Sequence, residues 1–328
     1  MNPRGRAVST RMGARAPLAG WPGAVGLGLG YLADQVFGDP QRWHPVAGFG
    51  RLATWLEQRT YSDGRLPGAA HTVLLVGATV GLGALAERAG AGRPLTKIIL
   101  SGLASWTVLG RHSLAGTASA VAGPLAAGDL AGARSQVGRL VGRDTAGLSE
   151  SEVARATVES VAENTSDAVV APLLWGAFAG IPGLLGYRAV NTLDAMIGHR
   201  SPRYERFGWA AARLDDLANW VPARVAALAA ALAAQLVGGS PRLVLRVVRR
   251  DAGQHPSPNA GVVEAAFAGG LGIRLGGLNA YRGQVEQRGV LGDGPAAAAS
   301  DIPRANRLAS AVSLIALALA VLIRSTRP

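Results

Sequence analysis

AVVAPLLWGAFAGIPGLLGYRAV, residues 168–190, is a run of 23 residues with no acid and a single base, Arg188, near its end. As a helix rising 1.5 Å per residue it would be about 35 Å long, enough for a hydrocarbon core of about 30 Å. Pro172, Pro182 and four glycines from Gly176 to Gly186 interrupt it. A broken or re-entrant helix is therefore expected, as happens where backbone lines a cavity. Working outward, residues 69–86, 95–110, 221–237 and 308–323 form further apolar runs, so the set spans 16 to 23 residues each. Residues 18–36 form a sixth, preceded by Arg4, Arg6, Arg11 and Arg15 and closed by a Gly-Asp-Pro turn at residues 38–40. With no convincing cleavage site and with Asp34 near its end, it reads as a signal-anchor or half-buried helix. The predicted fold is all-α: a polytopic integral membrane protein with about five or six apolar helices and long amphipathic helical loops. Residues 1–20 form a basic N-terminal extension, and residues 21–328 a single helical membrane domain at the cell membrane.

Composition agrees. The chain is 49% hydrophobic, 16% charged and 5% aromatic, with 45 glycines, the make-up of close-packed helices in lipid. Its net charge of +12 is scattered between apolar runs and not gathered on one aromatic-laced stripe, which fits anionic lipid surfaces and not nucleic acid. The lack of cysteine excludes disulfides, thiolate catalysis and iron–sulfur clusters. Lys97 is the only lysine and follows no glycine-rich turn, so no Walker A loop exists. Between the apolar runs lie two polar segments, residues 111–167 and 238–307; the first is expected to hold an amphipathic helix pair.

Four polar clusters border these runs, and charge beside lipid is costly unless it is paired or functional. In ESVAENTSDAVVAP (159–172), Glu159, Glu163 and Asp167 recur every four residues and would share a helix face, where they could hold Mg²⁺ against nucleotide phosphates. The plainer alternative is that Arg155 pairs with Glu159 and Asp167 caps a helix. The stretch from Tyr187 to Arg224 crowds Arg188, Asn191, Asp194, His199, Arg200, Arg213, Asp215, Asp216 and Asn219 between two runs. Carboxylate with amide oxygen suits a hard cation, while the arginines could clamp phosphate or carboxylate; a lipid-facing loop of paired charges is the competing account. GDPQRWHPVAG (38–48) holds Asp39 and His44, and His44 or His255 could ligand cobalt, although a lone His is more often structural. In HPSPNAGVVEAAFAGGLGIRLGG (255–277), Ser257 and Asn259 precede an apolar helix, and Gly269 to Gly277 either bind phosphate with Arg274 or Arg282 or let helices pack closely.

Taken in this order, with the Gly-Arg-Asp triplet at Gly142, Arg143 and Asp144, these motifs resemble the adenosylcobinamide-phosphate synthase family of cobalamin biosynthesis, the CobD/CbiB family, over residues 30–282. The resemblance implies a multi-span ligase that joins adenosylcobyric acid to (R)-1-aminopropan-2-ol O-phosphate, or to the free amino alcohol, by an amide bond, with ATP and Mg²⁺. On that footing Glu159, Glu163, Asp194 and Asp216 are the expected catalytic residues. Asp167, Asp215 and Asn219 are the expected metal residues, while Arg143, Asp144, Arg188, Asn191, Arg200, Arg213, Ser257 and Asn259 are expected to bind substrate. The corrinoid, the amino-alcohol phosphate and membrane lipid are the implied partners, and a second copy of the chain or other pathway enzymes are further candidates. A Mg-dependent prenyl- or phospho-transferase, or a transporter, would use similar clusters. If every apolar run crosses, the second and fourth clusters fall on opposite membrane faces. Either the run at 168–190 or the one before Asp39 must then fail to cross fully, or the motifs meet in a cavity within the bilayer.

Overall fold

A computed structural model describes residues 20–39, 44–142, 144–199, 201–281 and 284–327, with no side-chain account of 279–281 and 284–287. The basic residues of 1–19 lie outside the described residues, as do Arg143, Arg200 and Arg282.

The chain opens with α1 (Trp21–Phe37), α2 (Pro45–Thr60), α3 (Arg65–Ala89) and α4 (Pro94–Val108). Helices α1 and α4 lie backbone to backbone, because Gly26 and Gly30 sit one turn apart and face Ser101 and Ser105, with no room for a Cβ on either glycine. Small residues at this spacing are how helices approach closely in lipid. α5 (Arg111–Ala126) and α6 (Leu130–Val137) form the amphipathic pair, the latter capped by Asp129 accepting from the Gly132 amide at 2.8 Å. α7 (Glu150–Thr165) starts with a reciprocal cap between Ser149 and Glu152.

α8 (Ala171–Leu193) carries the interrupted run, and it folds back on itself. Gly180 has φ 65° and ψ −146°, a conformation open essentially to glycine alone. The two arms then pack face to face: a Cβ on Gly176 would meet Leu184, and one on Gly183 would meet the Trp175 carbonyl. α9 (Trp209–Ala218), α10 (Trp220–Ala233, continued by a 3₁₀ turn to Val237), α11 (Pro241–Asp251) and α12 (Ala260–Leu271) come next. β1 (Leu275–Tyr281) and β2 (Gln284–Leu291) make an antiparallel hairpin that the apolar and polar patterning does not foretell, and α13 (Asp301–Ser325) ends the fold.

Among the described residues, four helical stretches are long and apolar enough to cross a bilayer: Arg65–Ala89, Glu150–Gly198, Trp220–Val237 and Asp301–Ser325, with Ala260–Leu271 a shorter apolar helix. The main core lies where α5, α7, α8, α10, α12 and α13 meet, and α10 enters it through alanines such as Ala226, Ala230 and Ala234, all without solvent exposure. Gly269 lets α12 touch α11, since a Cβ there would stand 2.8 Å from Val244 Cα. Close packing therefore accounts for that glycine.

Candidate active site

Two π-helical turns interrupt the long helical stretch that begins at Glu150. One, Ser166–Val170, carries Asp167, and the other, Asp194–Gly198, carries Asp194. Such turns widen a helix by one residue and rotate the next turns about its axis, and they recur at functional sites. Because α8 doubles back at Gly180, its two ends lie side by side and both aspartates face one cavity of about 1000 Å³. α9 and Asn219 close a third wall, and residues 255–259 with the start of α12 a fourth.

Glu159, Glu163, Asp167, Asp194, Arg213, Asp215, Asp216, Asn219, Ser257 and Asn259 all border this space. Among the described residues its wall carries eight acids against three arginines, although the chain as a whole is strongly basic. Three of the four sequence clusters therefore converge. Asp144 does not: it is exposed, and its carboxylate accepts from the Ala146 amide at 3.1 Å. Arg188 and Asn191 stand behind the wall, Arg188 bordering a separate apolar cleft of about 340 Å³.

A chain of hydrogen bonds sets the acids. The Tyr187 hydroxyl donates to Asn219 Oδ1 (2.8 Å) and to the Asp167 carbonyl (3.1 Å). Asn219 Nδ2 donates to Asp215 Oδ2 at 2.9 Å, Asn191 Nδ2 lies 3.5 Å from Asp215 Oδ1, and Arg188 reaches Asn191 Oδ1 at 3.4 Å. Asn219 is buried with both ends of its amide engaged, which makes it the brace of Asp215. Burial pushes the Asp215 carboxyl up to about 6 against the pull of the Asn219 and Asn191 hydrogen bonds, and the Asp216 charge adds to the rise. Asp216 itself lies 3.6 Å from Arg213.

Glu159 combines two roles of position. It borders the cavity, yet its Oε1 accepts from the Gly276 amide at 2.9 Å and lies 3.9 Å from Arg155. Arg155 in turn donates to the Gly276 and Leu278 carbonyls, so this pair anchors the hairpin on α7. Ser257 Oγ accepts from the amides of Asn259 and Ala260 (3.3 and 3.1 Å) and shapes the start of α12. Asn259 Nδ2 donates to the Asp216 carbonyl at 2.7 Å, and its Oδ1 accepts from Arg224 at 2.9 Å. Arg224 also reaches the Pro258 carbonyl, so it clasps the loop to α10.

Glu264 is a site residue that sequence reasoning passes over. It is 1% exposed, lines the cavity from α12, and places Oε1 3.6 Å from His255 Nε2, which Arg288 approaches to 3.3 Å. The signal was present: a lone carboxylate in the apolar stretch VVEAAF. Nδ1 of His255 accepts from the Ser257 amide and Nδ1 of His44 from the Val46 amide, so each of these nitrogens serves the backbone and not cobalt. Lys97 pairs with Glu87 at the far end of α4.

Among the described residues no three His, Asp or Glu side chains form a ready metal cage. Magnesium in nucleotide sites commonly takes only one or two carboxylates, the rest of its shell being water and phosphate. The carboxylates of the wall, Asp167 and Asp215 among them, fit that use.

Four long apolar helices around a bundle that also holds an acidic cavity define an all-α membrane protein with a candidate polar site. The family model described as CobD/Cbib protein matches residues 27–309, and the chain belongs to the CobD/CbiB family of cobalamin biosynthesis. It is 53% identical over 300 residues to the cobalamin biosynthesis protein CobD of Mycobacterium tuberculosis, covering 92% of this chain and 95% of that one. The namesake of Geobacter metallireducens is 49% identical over 268 residues, covering 80% and 84%, and that of Rhodobacter capsulatus 44% over 269, covering 81% and 80%. No solved structure matches.

Proposed function

We propose that this protein is an acid–amine ligase that joins a corrinoid carboxylate to an amino alcohol, phosphorylated or free, at the expense of ATP. The cavity that gathers Glu163, Asp167, Asp194, Asp215 and Asp216 in an otherwise basic chain carries this reading. A carboxylate and an amine do not condense unaided in neutral water. The economical route transfers the γ-phosphoryl group of ATP to the carboxylate oxygen, giving an acyl phosphate and ADP. The amine nitrogen then attacks the acyl carbon, the C–O bond to phosphate breaks, and the attacking nitrogen releases its proton.

Asp167 and Asp215 would hold magnesium, with Asn219 bracing Asp215; the ion neutralises charge on phosphate oxygens when bound. Arg213, with Arg143 and Arg200 from outside the described residues, is suited to phosphate, and the acids Glu163, Asp194 and Asp216 attract the ammonium form of the amine and accept its proton. Glu159 fixes the hairpin wall, Ser257 and Asn259 present the loop at which the acyl group enters, and Arg188 and Asn191 steady Asp215 from behind. Asp144 would act from the rim.

Purified protein in lipid, supplied with adenosylcobyric acid, ATP, Mg²⁺ and each form of the aminopropanol, should convert the corrinoid to a product heavier by the condensed arm. A corrinoid of unchanged mass with all cosubstrates present would end this reading.

A further inference from the structure

The helix ends sort into two levels. At one level Glu87, ending α3, pairs with Lys97 near the start of α4 (3.2 Å) and with Arg324 at the end of α13 (2.7 Å), and it accepts from the Ile181 amide in the turn of α8 (3.0 Å). Gly20, ahead of α1, donates to the Ser325 carbonyl at 3.2 Å. The starts of α1 and α4, the turn of α8 and the ends of α3 and α13 therefore share one plane. Their opposite ends meet at the cavity. Trp106 Nε1, in α4, donates to the Gly38 carbonyl after α1, Trp209 Nε1 donates to the Arg65 carbonyl at the start of α3, and the Gly110 amide after α4 donates to the Ala168 carbonyl beside Asp167. Arg111 bonds Ser310, halfway along α13. α1, α3, α4, the two arms of α8 and the second half of α13 thus make six passes that alternate in direction and bring both ends of the described chain back to one plane.

The remaining helices lie beyond the cavity. α12 runs alongside α10: Arg224 ties their starts together through Asn259, and Arg304 reaches both the Val237 and Leu271 carbonyls at their ends. α11 returns antiparallel along α12, with Val244 beside Gly269 and Ala252 beside Gly261. It exposes Arg242, Arg246 and Arg249 along the depth that α10 occupies.

We propose that the bilayer surrounds the six-pass layer alone, so that the cavity and all of α5–α7 and α9–α12 stand at one membrane face and both ends of the described chain, Gly20 and Ser325, at the other, while α10, apolar as it is, never enters the hydrocarbon. At about 1.5 Å per residue α1, α3 and α4 are about 25, 37 and 22 Å long and the arms of α8, from Asp167 to Gly180 and from Ile181 to Asp194, about 21 Å each, so the layer suits a hydrocarbon core thinned from about 30 Å around the reversal. The outer surface fits too. Only 22% of the apolar window of α3 is buried inside the protein, against 56% of that of α10, and Leu29, Val73, Leu82, Ile99, Leu314 and Leu322 point outward. α10 also turns Leu228, Leu232 and Leu236 outward, so its placement rests on the depth it shares with the α11 arginines. Trp106, Trp209 and Trp220 sit at the cavity level and Trp21 at the opposite one, where interfacial tryptophans belong. Were α10 to cross, the three α11 arginines would stand in lipid without a partner among the described residues, which such a position does not tolerate.

The chain has no cysteine, so single cysteines in sealed vesicles report directly. Membrane-impermeant maleimide should label Gln235→Cys in α10, Leu232→Cys in α10 and Arg246→Cys in α11 from one side and Thr326→Cys from the other. Leu82→Cys and Leu314→Cys should label only after detergent is added. Labelling of Arg246→Cys and Thr326→Cys from the same side would overturn the proposal. So would protection of both α10 cysteines to the degree seen at Leu82→Cys, and the paired positions keep the outcome decisive if one variant does not accumulate.

Discussion

Arg224→Ala should release the loop that brings Ser257 and Asn259 to the cavity while leaving the bundle intact. The guanidinium donates to Asn259 Oδ1 at 2.9 Å and to the Pro258 carbonyl at 3.3 Å, and stacks 4.5 Å from the Trp220 ring. Hydrogen bonds from a charged donor contribute about 1.5–3 kcal/mol each when buried, and this side chain is only partly so. About 2 kcal/mol for the pair is a fair magnitude, equivalent to roughly a 30-fold drop in the equilibrium constant for the ordered loop, and the most that its population can fall. The kcat/KM of corrinoid conversion should fall by up to about 30-fold, and amide exchange across residues 255–260 should quicken by a similar factor, with little change in Tm. Arg224→Lys, which offers one contact in place of two, should recover part of both. If kcat/KM stays within about twofold of wild type while exchange is unchanged, the clasp does not order the site.

The raised Asp215 carboxyl makes the folded protein hold a proton between about pH 4 and about 6 that the unfolded chain has released, so stability should decline as pH rises through that window while turnover increases towards pH 7. Asp215→Asn should flatten the decline and be more stable at pH 8 by on the order of 1–3 kcal/mol, yet lose activity; parallel pH–stability curves would count against it. Gly180→Ala forces φ 65° on an alanine and sets its Cβ 2.6 Å from Glu87 Oε2, at a cost of about 1–3 kcal/mol that a detergent melt should show as a lower Tm; an unchanged melt refutes the tight turn. Chelation should abolish turnover and Mg²⁺ restore it, with Tm rising for Mg²⁺ plus ATP but not for Mg²⁺ alone. A rise with the metal alone would reveal a complete protein cage instead.

Hydropathy located α3, α4, α8, α10 and α13 because any long apolar run shows itself. It does not say what covers the run. The window of α10 is 56% buried, with its alanines inward and Leu228, Leu232 and Leu236 outward, whereas that of α3 is only 22% buried, and both score alike. Prolines and glycines in residues 168–190 signalled the interruption, but their roles differ: Pro172, inside the continuous stretch from Glu150, follows the π-helical turn and leaves the Ala168 carbonyl to accept from the Gly110 amide, and Gly180 makes the reversal. That reversal places Asp167 beside Asp194 and removes the conflict over membrane faces. The π-helical turn at Asp167 has Pro172 just after it as a mark, while the one at Asp194 leaves none. The hairpin at 275–291 pairs neighbours in sequence, yet it was hidden because its short, glycine-bearing strands show little apolar alternation; Glu159 and Arg155 anchor it from α7. Spacing by fours found Glu159, Glu163 and Asp167, and it found Asp215 with Asn219; it could not show that Asn219 would be held by Tyr187.

The hydrogen bond between Gly20 and Ser325 has a consequence for synthesis. The earliest described helix closes against the latest, and at about 5–20 residues per second the roughly 300 residues that they span take roughly 15–60 s to make. During that wait α1 is held by α4 through the close glycine-on-serine fit, and later by α5, where His112 bonds Asp34, and by α8, where Gly176 meets Leu27. A linker joining the two ends, with the chain opened at a surface turn, should yield a permuted protein whose helices meet in a different order and still assemble.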